Sequence, residues 1–425
     1  MSDEVIRTLL REAELGADPA VWQQLARELI RAGRLDEAGR AIARVPDLVA
    51  RGPLLDAVAP RLDALRLREV KLPTRLGGVL SLAWAPDEES LYVGDEKRVL
   101  AVSVASGAIL RTFDEARVAA CSPRGDEVAT GSPFTVTAFA ASEARSLGSE
   151  RHDDMAFGPD GDTLVGVTLG DLTSDGQVTL LSRSASGGWT KRLVDFDGRV
   201  AHLDSTGAFV TISGEKVSLH DPTTGLARAI IDVAAHIETP AVLTGITREA
   251  VSSILRAFRV GSVIQAIKEH RAATSLGLKE SKEAIEKVET WHAVRALGAR
   301  LAVLSATETL LFDHAGTLLM RAAGGPTRYA ADLCEAAPSG RVYARFDRTW
   351  QYEPHDLGES PQAPRRRASI DLRDLLRGEG TSFSVDIASA DVPWRDSPVA
   401  LAWSPSGRRL AAVGASRVAF LEPGA

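Results

Sequence analysis

Histidine and cysteine are the residue types in this chain that could form a zinc site, and both also act in nucleophilic catalysis. The eight histidines stand at positions 152, 202, 220, 236, 270, 292, 314 and 355, and the two cysteines at 121 and 334. No set of them has the spacing of a zinc-binding motif. The motifs GxxxxGKS/T, HExxH and GxSxG are also absent from the sequence. We therefore predict no catalytic residues, no metal ligands and no cofactor.

Two acidic segments, Asp153-Asp154 and Asp160 with Asp162, carry the carboxylate oxygens that calcium prefers. Neither is part of a complete twelve-residue calcium-binding loop. We interpret these aspartates as turn residues.

A basic run, Arg365-Arg366-Arg367-Ala368-Ser369, closes a linker-like stretch at positions 361–369. Three arginines followed by a serine are typical of a basophilic kinase target, so Ser369 is a candidate phosphorylation site. A phosphate there would add about two negative charges beside three cations. The alternative is a solvated basic loop.

The composition of the 425 residues is that of a globular protein, with 44% hydrophobic and 25% charged residues. A net charge of −7 argues against a general nucleic-acid binder. The sequence starts with acidic residues and has no apolar run of the ~20 residues that span a bilayer. We expect a cytoplasmic protein that binds neither membranes nor nucleic acid.

One motif recurs from about residue 67 onward, where the hydrophobic period changes from 3.6 to 2. An alternating strand ends in a Pro/Gly/Asp turn and a second strand follows. The clearest copies are Leu82–Asp87, Val118–Gly125, Met155–Gly161 and Ala400–Gly407. The prolines at 86, 123 and 159 are 37 and 36 residues apart. This spacing is close to the length of a four-stranded propeller blade.

A second motif lies downstream of the turns: Val217–Asp221 precedes Thr224-Gly225, and Leu310–Asp313 precedes Gly316. Together the motifs resemble divergent WD repeats, with His220 or Phe312 at the position of the tryptophan. The resemblance implies a mainly β protein with about seven blades, although six or eight remain open. The predicted first strands lie near Leu82, Val118, Met155, Val200, Val294, Ala330 and Leu401. The resemblance to WD repeats also implies that His152, His202 and His292, which lie near blade starts, order turns.

The predicted propeller comprises blades 1–4 at 67–235 and blades 5–7 at 291–425. The last copy ends at Phe420-Leu421 after three strands, so we expect a strand near 67–72 to complete it and close the ring. Residues 1–66 have helical periodicity, with Trp22 and Leu25 before the turn at Ala32-Gly33 and alanines after it. This pattern resembles one tetratricopeptide unit, which implies a helical hairpin or small bundle. The bundle either packs on the propeller or awaits a partner.

A helical hairpin interrupts the propeller pattern at 240–290, where a helix, the turn Ser275–Leu278 and a second helix are predicted. Upstream of the hairpin, the pattern at positions 254–256 fits either a short strand or a helix. The segment resembles the C-terminal domain of the bacterial ribosomal stalk protein, most specifically over Leu276–Glu280. It departs from that pattern in having serine at 275 and 281. The resemblance implies a protein-docking surface formed by Ile267, Lys268, Arg271 and Lys282. Translation factors are one class of partner that it implies; another protein partner, or packing on the propeller, is the alternative.

We expect the protein to be a non-catalytic scaffold for protein–protein interactions. Two alternatives remain. One is a translation-associated factor that binds through the stalk-like hairpin, and the other is a propeller enzyme or small-ligand binder that uses the central channel. The fold alone does not choose among them.

Overall fold

The fold is described from a computed structural model of the chain. The residues described are 3–15, 20–45, 47–132, 135–140, 143–148, 152–169, 176–184, 186–236, 241–259, 262–288, 291–297, 300–305, 308–323, 334–350, 366–374, 377–385 and 400–424. They form two compact units. One is Met1–Leu164 with Leu333–Ala425, and the other is Val165–Asp332.

Seven four-stranded sheets follow one another along the described residues, which makes the protein a mainly β, seven-bladed β-propeller. The predicted fold class is therefore confirmed. Blade 1 contains β2 (Ser81–Trp84), β3 (Ser90–Gly94), β4 (Arg98–Ser103) and β5 (Ile109–Asp114). Blade 2 contains β6 (Val118–Cys121), β7 (Glu127–Gly131), β8 (Val136–Ala140) and β9 (Glu143–Gly148). Blade 3 contains β10 (Asp154–Phe157), β11 (Thr163–Thr168), β12 (Gln177–Arg183) and β13 (Trp189–Leu193).

The remaining blades have the same organisation. Blade 4 contains β14 (Arg199–Leu203), β15 (Phe209–Ser213), β16 (Lys216–His220) and β17 (Ala227–Asp232). Blade 5 contains β18 (Trp291–Leu297), β19 (Arg300–Ser305), β20 (Glu308–Phe312) and β21 (Leu318–Ala323). Blade 6 contains β22 (Cys334–Ala336), β23 (Val342–Trp350), β24 (Arg366–Asp374) and β25 (Glu379–Val385). The first strand expected near Ala330 is β22, and position 330 itself lies outside the described residues.

Blade 7 combines strands from both ends of the chain. Its strands β26 (Ala400–Trp403), β27 (Leu410–Val413) and β28 (Arg417–Pro423) are joined by β1 (Leu65–Lys71). The strand expected near 67–72 is therefore β1, which pairs antiparallel with β28 along its whole length. The Arg68 Nε lies 2.6 Å from Glu422 Oε1, and its guanidinium lies over the ring of Phe420. This edge pairing places both ends of the β region in one sheet.

The turn between the first two strands uses a left-handed residue in the four motif copies. Gly125, Gly161 and Gly407 have φ of 75°, 73° and 69°, which glycine tolerates because it has no β-carbon. Glu88 takes this conformation in blade 1, with φ of 61°. A glutamate there is strained by about 1–2 kcal/mol, so other contacts must hold it in place.

Within the described ranges, four α-helices precede the propeller: α1 (Asp3–Glu14), α2 (Ala20–Arg31), α3 (Leu35–Ala43) and α4 (Leu48–Val58). They share one apolar core, formed mainly by Ile6, Leu9, Leu25, Leu29, Ala38, Ile42, Leu55 and Val58. The N-terminal region is thus a small bundle, the second of the two forms predicted. Its resemblance to a tetratricopeptide unit stays a prediction.

The described part of the segment inserted between blades 4 and 5 contains three α-helices, α5 (Arg248–Arg259), α6 (Val263–Thr274) and α7 (Leu278–Glu286). Sequence periodicity left positions 254–256 open between strand and helix, and they lie inside α5. The three helices bury a core of their own that includes Ile254, Phe258, Ala266, Ile285 and Val288. Ser275 ends α6 with a left-handed φ of 58°. No helix in the described ranges is long and apolar enough to cross a membrane.

Candidate docking surface and ligand cavity

The N-terminal bundle contacts blade 7 through α3. Ser406, in the turn between β26 and β27, lies directly against Gly39 of α3, where an added β-carbon would overlap the β-carbon of Ser406. Glycine is therefore required at this point of α3 by the close approach of the two backbones.

Arg408 connects the bundle to the same turn. Its Nε donates to Asp36 Oδ1 at 2.6 Å, and its Nη1 donates to the carbonyl of Val58 at 2.8 Å. Arg341 in blade 6 forms an ion pair with Asp374 at 2.6 Å and reaches the carbonyl of Asp56. The hydrogen bond to Asp374 raises the pKa of Arg341. Of the two alternatives for the bundle, packing on the propeller is the one observed.

A cavity of about 570 Å³ lies between the bundle and blades 1 and 2. The helices line it with apolar side chains and two arginines: Ile6, Leu10, Leu25, Leu29, Arg40 and Arg44. The propeller lines it with Tyr92, Cys121 and Arg124, among others. This volume is within the range of about 300–1,000 Å³ that small-molecule pockets occupy.

Arg44 is a half-buried cation of the cavity lining. Its guanidinium lies 4.7 Å from the centre of the Trp22 ring. Burial lowers the pKa of Arg44, and the like charge of Arg124 lowers it further, while Asp126 and Glu14 act in the opposite direction. Arg44 was not among the site residues predicted from the sequence. Arg40 and Arg44 are four residues apart on one helix face, and that spacing was the available signal.

Tyr92 and Cys121 are two lining residues that could ionise but are uncharged at neutral pH. Burial raises the pKa of Tyr92 to about 12, with smaller contributions from Cys121 and Asp87. Burial also raises the pKa of the Cys121 thiol, which is therefore protonated at neutral pH and weakly nucleophilic.

The docking residues suggested by the stalk resemblance do not share one environment. Ile267 is 8% exposed and packs into the core of the inserted module. The expectation that it forms the apolar centre of an exposed surface is wrong, because α5 covers this face of α6. Lys268, Arg271 and Lys282 are exposed, and Lys282 Nζ lies 3.7 Å from Glu286 on its own helix.

Other apolar residues occupy the exposed side of the module. Ile264 is 72% exposed and Leu278 is 61% exposed. Ile264, Lys268 and Arg271 are four and three residues apart, so they share one face of α6. The exposed apolar residue beside Lys268 and Arg271 is therefore Ile264 and not Ile267.

Ser369 does not lie in a linker, as predicted for 361–369, but within β24, opposite Asp347 and Ser384 in the neighbouring strands. Its hydroxyl donates to Asp371 Oδ1 at 3.3 Å. Pairing with the neighbouring strands places this basic segment in the sheet, although its composition is typical of a loop. Positions 361–365 lie outside the described residues. Phosphorylation of Ser369 stays a prediction.

The acidic segments and the histidines at 202, 220 and 236 contact structural partners. Asp160 Oδ1 accepts the backbone N–H groups of Asp162 and Thr163, as expected of a turn residue. Burial raises the pKa of Asp154 to about 7, and the carboxylates of Glu335 and Asp153 add to the shift. Among the described residues, no group of three or more His, Cys, Asp or Glu side chains could hold a metal ion.

His220, at the expected tryptophan position, stacks on Phe209 with ring centres 4.6 Å apart. Its Nε2 lies 2.9 Å from Thr211 Oγ1, and its Nδ1 lies 3.0 Å from the carbonyl of Gly225. Burial lowers the pKa of His220, so the ring is neutral at pH 7. Of the blade-start histidines, His202 Nδ1 accepts the N–H of Ala296. The side chain of His292 lies outside the described residues.

No family model matches the sequence, and no curated protein does. Solved structures with a similar fold include KlHsv2 with loop 6CD replaced by a Gly-Ser linker, at 11% identity and a TM-score of 0.46, covering 80% of this chain and 90% of that one. They also include Kuenenia stuttgartiensis hydrazine synthase, at 12% identity and a TM-score of 0.33, covering 80% of this chain and 74% of that one. At these values neither similarity bears on the function of this chain.

Proposed function

We propose that the protein is a non-catalytic interaction scaffold that binds other proteins through its inserted helical module. The observation that carries this proposal is the exposed face of α6, where Ile264 lies beside Lys268 and Arg271. Burying an isoleucine side chain contributes about 1.5–3 kcal/mol, which this face does not obtain within the chain. An apolar residue with a charged rim is the usual composition of a small protein interface.

The partner that fits this face has an apolar pocket bordered by carboxylates. Lys268 and Arg271 are exposed and give this face two positive charges, which favour carboxylates around the partner's apolar pocket. Opposite charges across an interface accelerate association and fix its orientation. Leu278, at the start of α7, extends the exposed apolar surface of the module.

The inserted module also has a hydrophobic core of its own. Its three helices pack around their own core, which contains Ile254, Ala266 and Ile285. Insertions of this kind are tolerated where few contacts tie them to the surrounding fold. A rigid propeller carrying such a module supports the role of a scaffold.

The test is a quantitative pull-down from bacterial lysate with two forms of the full chain. In one, residues 241–288 are replaced by a short Gly/Ser linker, and the other is unchanged. We expect the replaced form to keep its β-type circular dichroism and cooperative melting, and to lose the partners of the intact chain. Loss of translation factors in particular would support the translation-associated alternative. Equal capture by two folded forms would overturn the proposal and direct attention to the propeller faces.

A further inference from the structure

The cavity between the N-terminal bundle and blades 1 and 2 has an apolar wall and a cationic wall. Ile6, Leu10, Leu25 and Leu29 form the apolar wall, and Arg40 of α3 and Arg44, which follows α3 directly, form the cationic wall. In the described part of the chain, neither guanidinium makes an ion pair or a hydrogen bond. Both guanidinium groups are half-buried at this cavity, and partial desolvation of a cation favours the entry of an anion.

A third arginine strengthens the cationic wall. Arg124, from the turn between β6 and β7, lines the cavity while its Nη2 forms an ion pair with Asp162. Its positive charge lowers the pKa of Arg44, because like charges repel each other. A bound anion would remove this repulsion.

Three carboxylates line the same cavity, Glu37, Asp87 and the buried Glu127, and the first two accept hydrogen bonds from other residues. Both oxygens of Glu37 accept hydrogen bonds from Arg34, at 2.6 and 2.5 Å. Asp87 Oδ1 accepts the backbone N–H of Glu89, and Asp87 acts on Tyr92 and Cys121 rather than on Arg44. Asp126 and Glu14 offset the charge of Arg44 only in part.

We propose that this cavity binds a small carboxylate with an apolar body, its head group on Arg40 and Arg44 and its body against the apolar wall. Guanidinium groups match the two oxygens of a carboxylate, and the resulting charge-assisted hydrogen bonds are strong in a desolvated site. The leucine side chains would exclude water from the rest of the ligand. The site is separate from the docking face of α6, so it adds a ligand to the proposed scaffold role.

Isothermal titration calorimetry of the full chain with decanoate tests this proposal. Decanol serves as the probe without charge, and acetate as the probe without an apolar body. We expect decanoate to bind more tightly than either. We expect Arg44→Met and Arg40→Met each to weaken decanoate binding about tenfold or more, since each removes charge-assisted hydrogen bonds.

Arg27→Met is the matched control, because Arg27 is an exposed arginine of α2 that does not line the cavity. It should leave decanoate binding unchanged, and all variants should melt cooperatively. Absence of decanoate binding would overturn the proposal. The proposal would also be overturned if decanoate bound with equal affinity to the wild type, to the double variant Arg40→Met with Arg44→Met, and to the Arg27→Met control. Equal binding of decanol and decanoate to the wild type would overturn it as well.

Discussion

The carboxylate of Glu88 accepts the backbone N–H of Ser406 at 2.8 Å and so connects the turn of blade 1 to the turn of blade 7. Glu88 is buried and has a left-handed φ of 61°. Its other oxygen lies 3.9 Å from Arg409 Nε, and its carbonyl accepts from Arg409 Nη1. The strain at Glu88 is thus offset by contacts with blade 7, the blade that unites both ends of the β region.

Two substitutions of Glu88 distinguish the effect of its backbone strain on stability from the effect of its hydrogen bond to Ser406. Glu88→Ala keeps the left-handed strain and removes the carboxylate, and we expect it to lower the free energy of unfolding by about 1–3 kcal/mol. Glu88→Gly loses the same bond but relieves the strain, so it should be more stable than the alanine variant by about 1 kcal/mol. Urea denaturation measures both values. If the alanine variant were as stable as the wild type, the hydrogen bond between Glu88 and Ser406 would make no contribution to the free energy of unfolding.

The close approach of Gly39 to Ser406 predicts an unusual sign for a helix substitution. Inside a helix, Gly→Ala normally stabilises by roughly 0.5–1 kcal/mol. Here the new β-carbon overlaps Ser406, and we expect Gly39→Ala to destabilise by about 1–3 kcal/mol as the bundle is pushed from blade 7.

A double-mutant cycle provides the control for Gly39→Ala. Adding Ser406→Gly removes the opposing β-carbon, so the two substitutions together should cost less than the sum of their separate effects. Thermal unfolding of the four proteins gives the coupling energy. Simple additivity, or stabilisation by Gly39→Ala alone, would contradict the observed docking of the bundle.

Much of the propeller was predictable from the sequence because its signals are local. The Pro/Gly turns at Gly125, Gly161 and Gly407 depend on residues within one turn, and their spacing follows from the length of a blade. The strand at Leu65–Lys71 was foreseeable because the last blade lacked a partner for β28.

The site residues were harder to predict because they depend on packing between distant segments. Arg44 and Arg124 are eighty positions apart in the sequence and meet only after the bundle docks. Ile267 was misplaced because the sequence pattern did not decide between strand and helix for the segment that covers it. Which face of α6 is buried depends on α5, and residues of α6 alone do not carry that information.

Asp154 predicts a specific pH dependence of stability. The pKa of this carboxyl is about 7 in the folded protein, against 3.8 for an ordinary aspartate. The folded state therefore retains a proton that the unfolded chain releases, and stability falls as the pH rises from about 4 to about 7.

Asp154→Asn removes this titration while preserving the shape of the side chain. We expect the variant to gain on the wild type by at least about 1 kcal/mol between pH 5 and pH 8, as the wild-type carboxyl ionises. Urea denaturation at the two pH values measures the gain. Parallel pH profiles for the two proteins would show that Asp154 ionises at its ordinary pKa.

The most direct test of the scaffold proposal concerns the exposed face of α6. The variant Ile264→Ser with Lys268→Glu changes one apolar residue and one cation there, both exposed and outside the module core. The matched control, Leu110→Ser with Lys97→Glu, makes the same two kinds of change at exposed positions of blade 1. Both variants should keep the stability of the wild type to within about 1 kcal/mol, as exposed positions generally do.

The measurement is the dissociation constant of the main partner captured by the intact chain, determined in parallel for the wild type, the α6 variant and the control. The account predicts that the α6 variant binds at least about tenfold more weakly, since it loses apolar burial and a complementary charge, while the control binds like the wild type. Equal dissociation constants for the three proteins would contradict the claim that this face of the inserted module binds the partner.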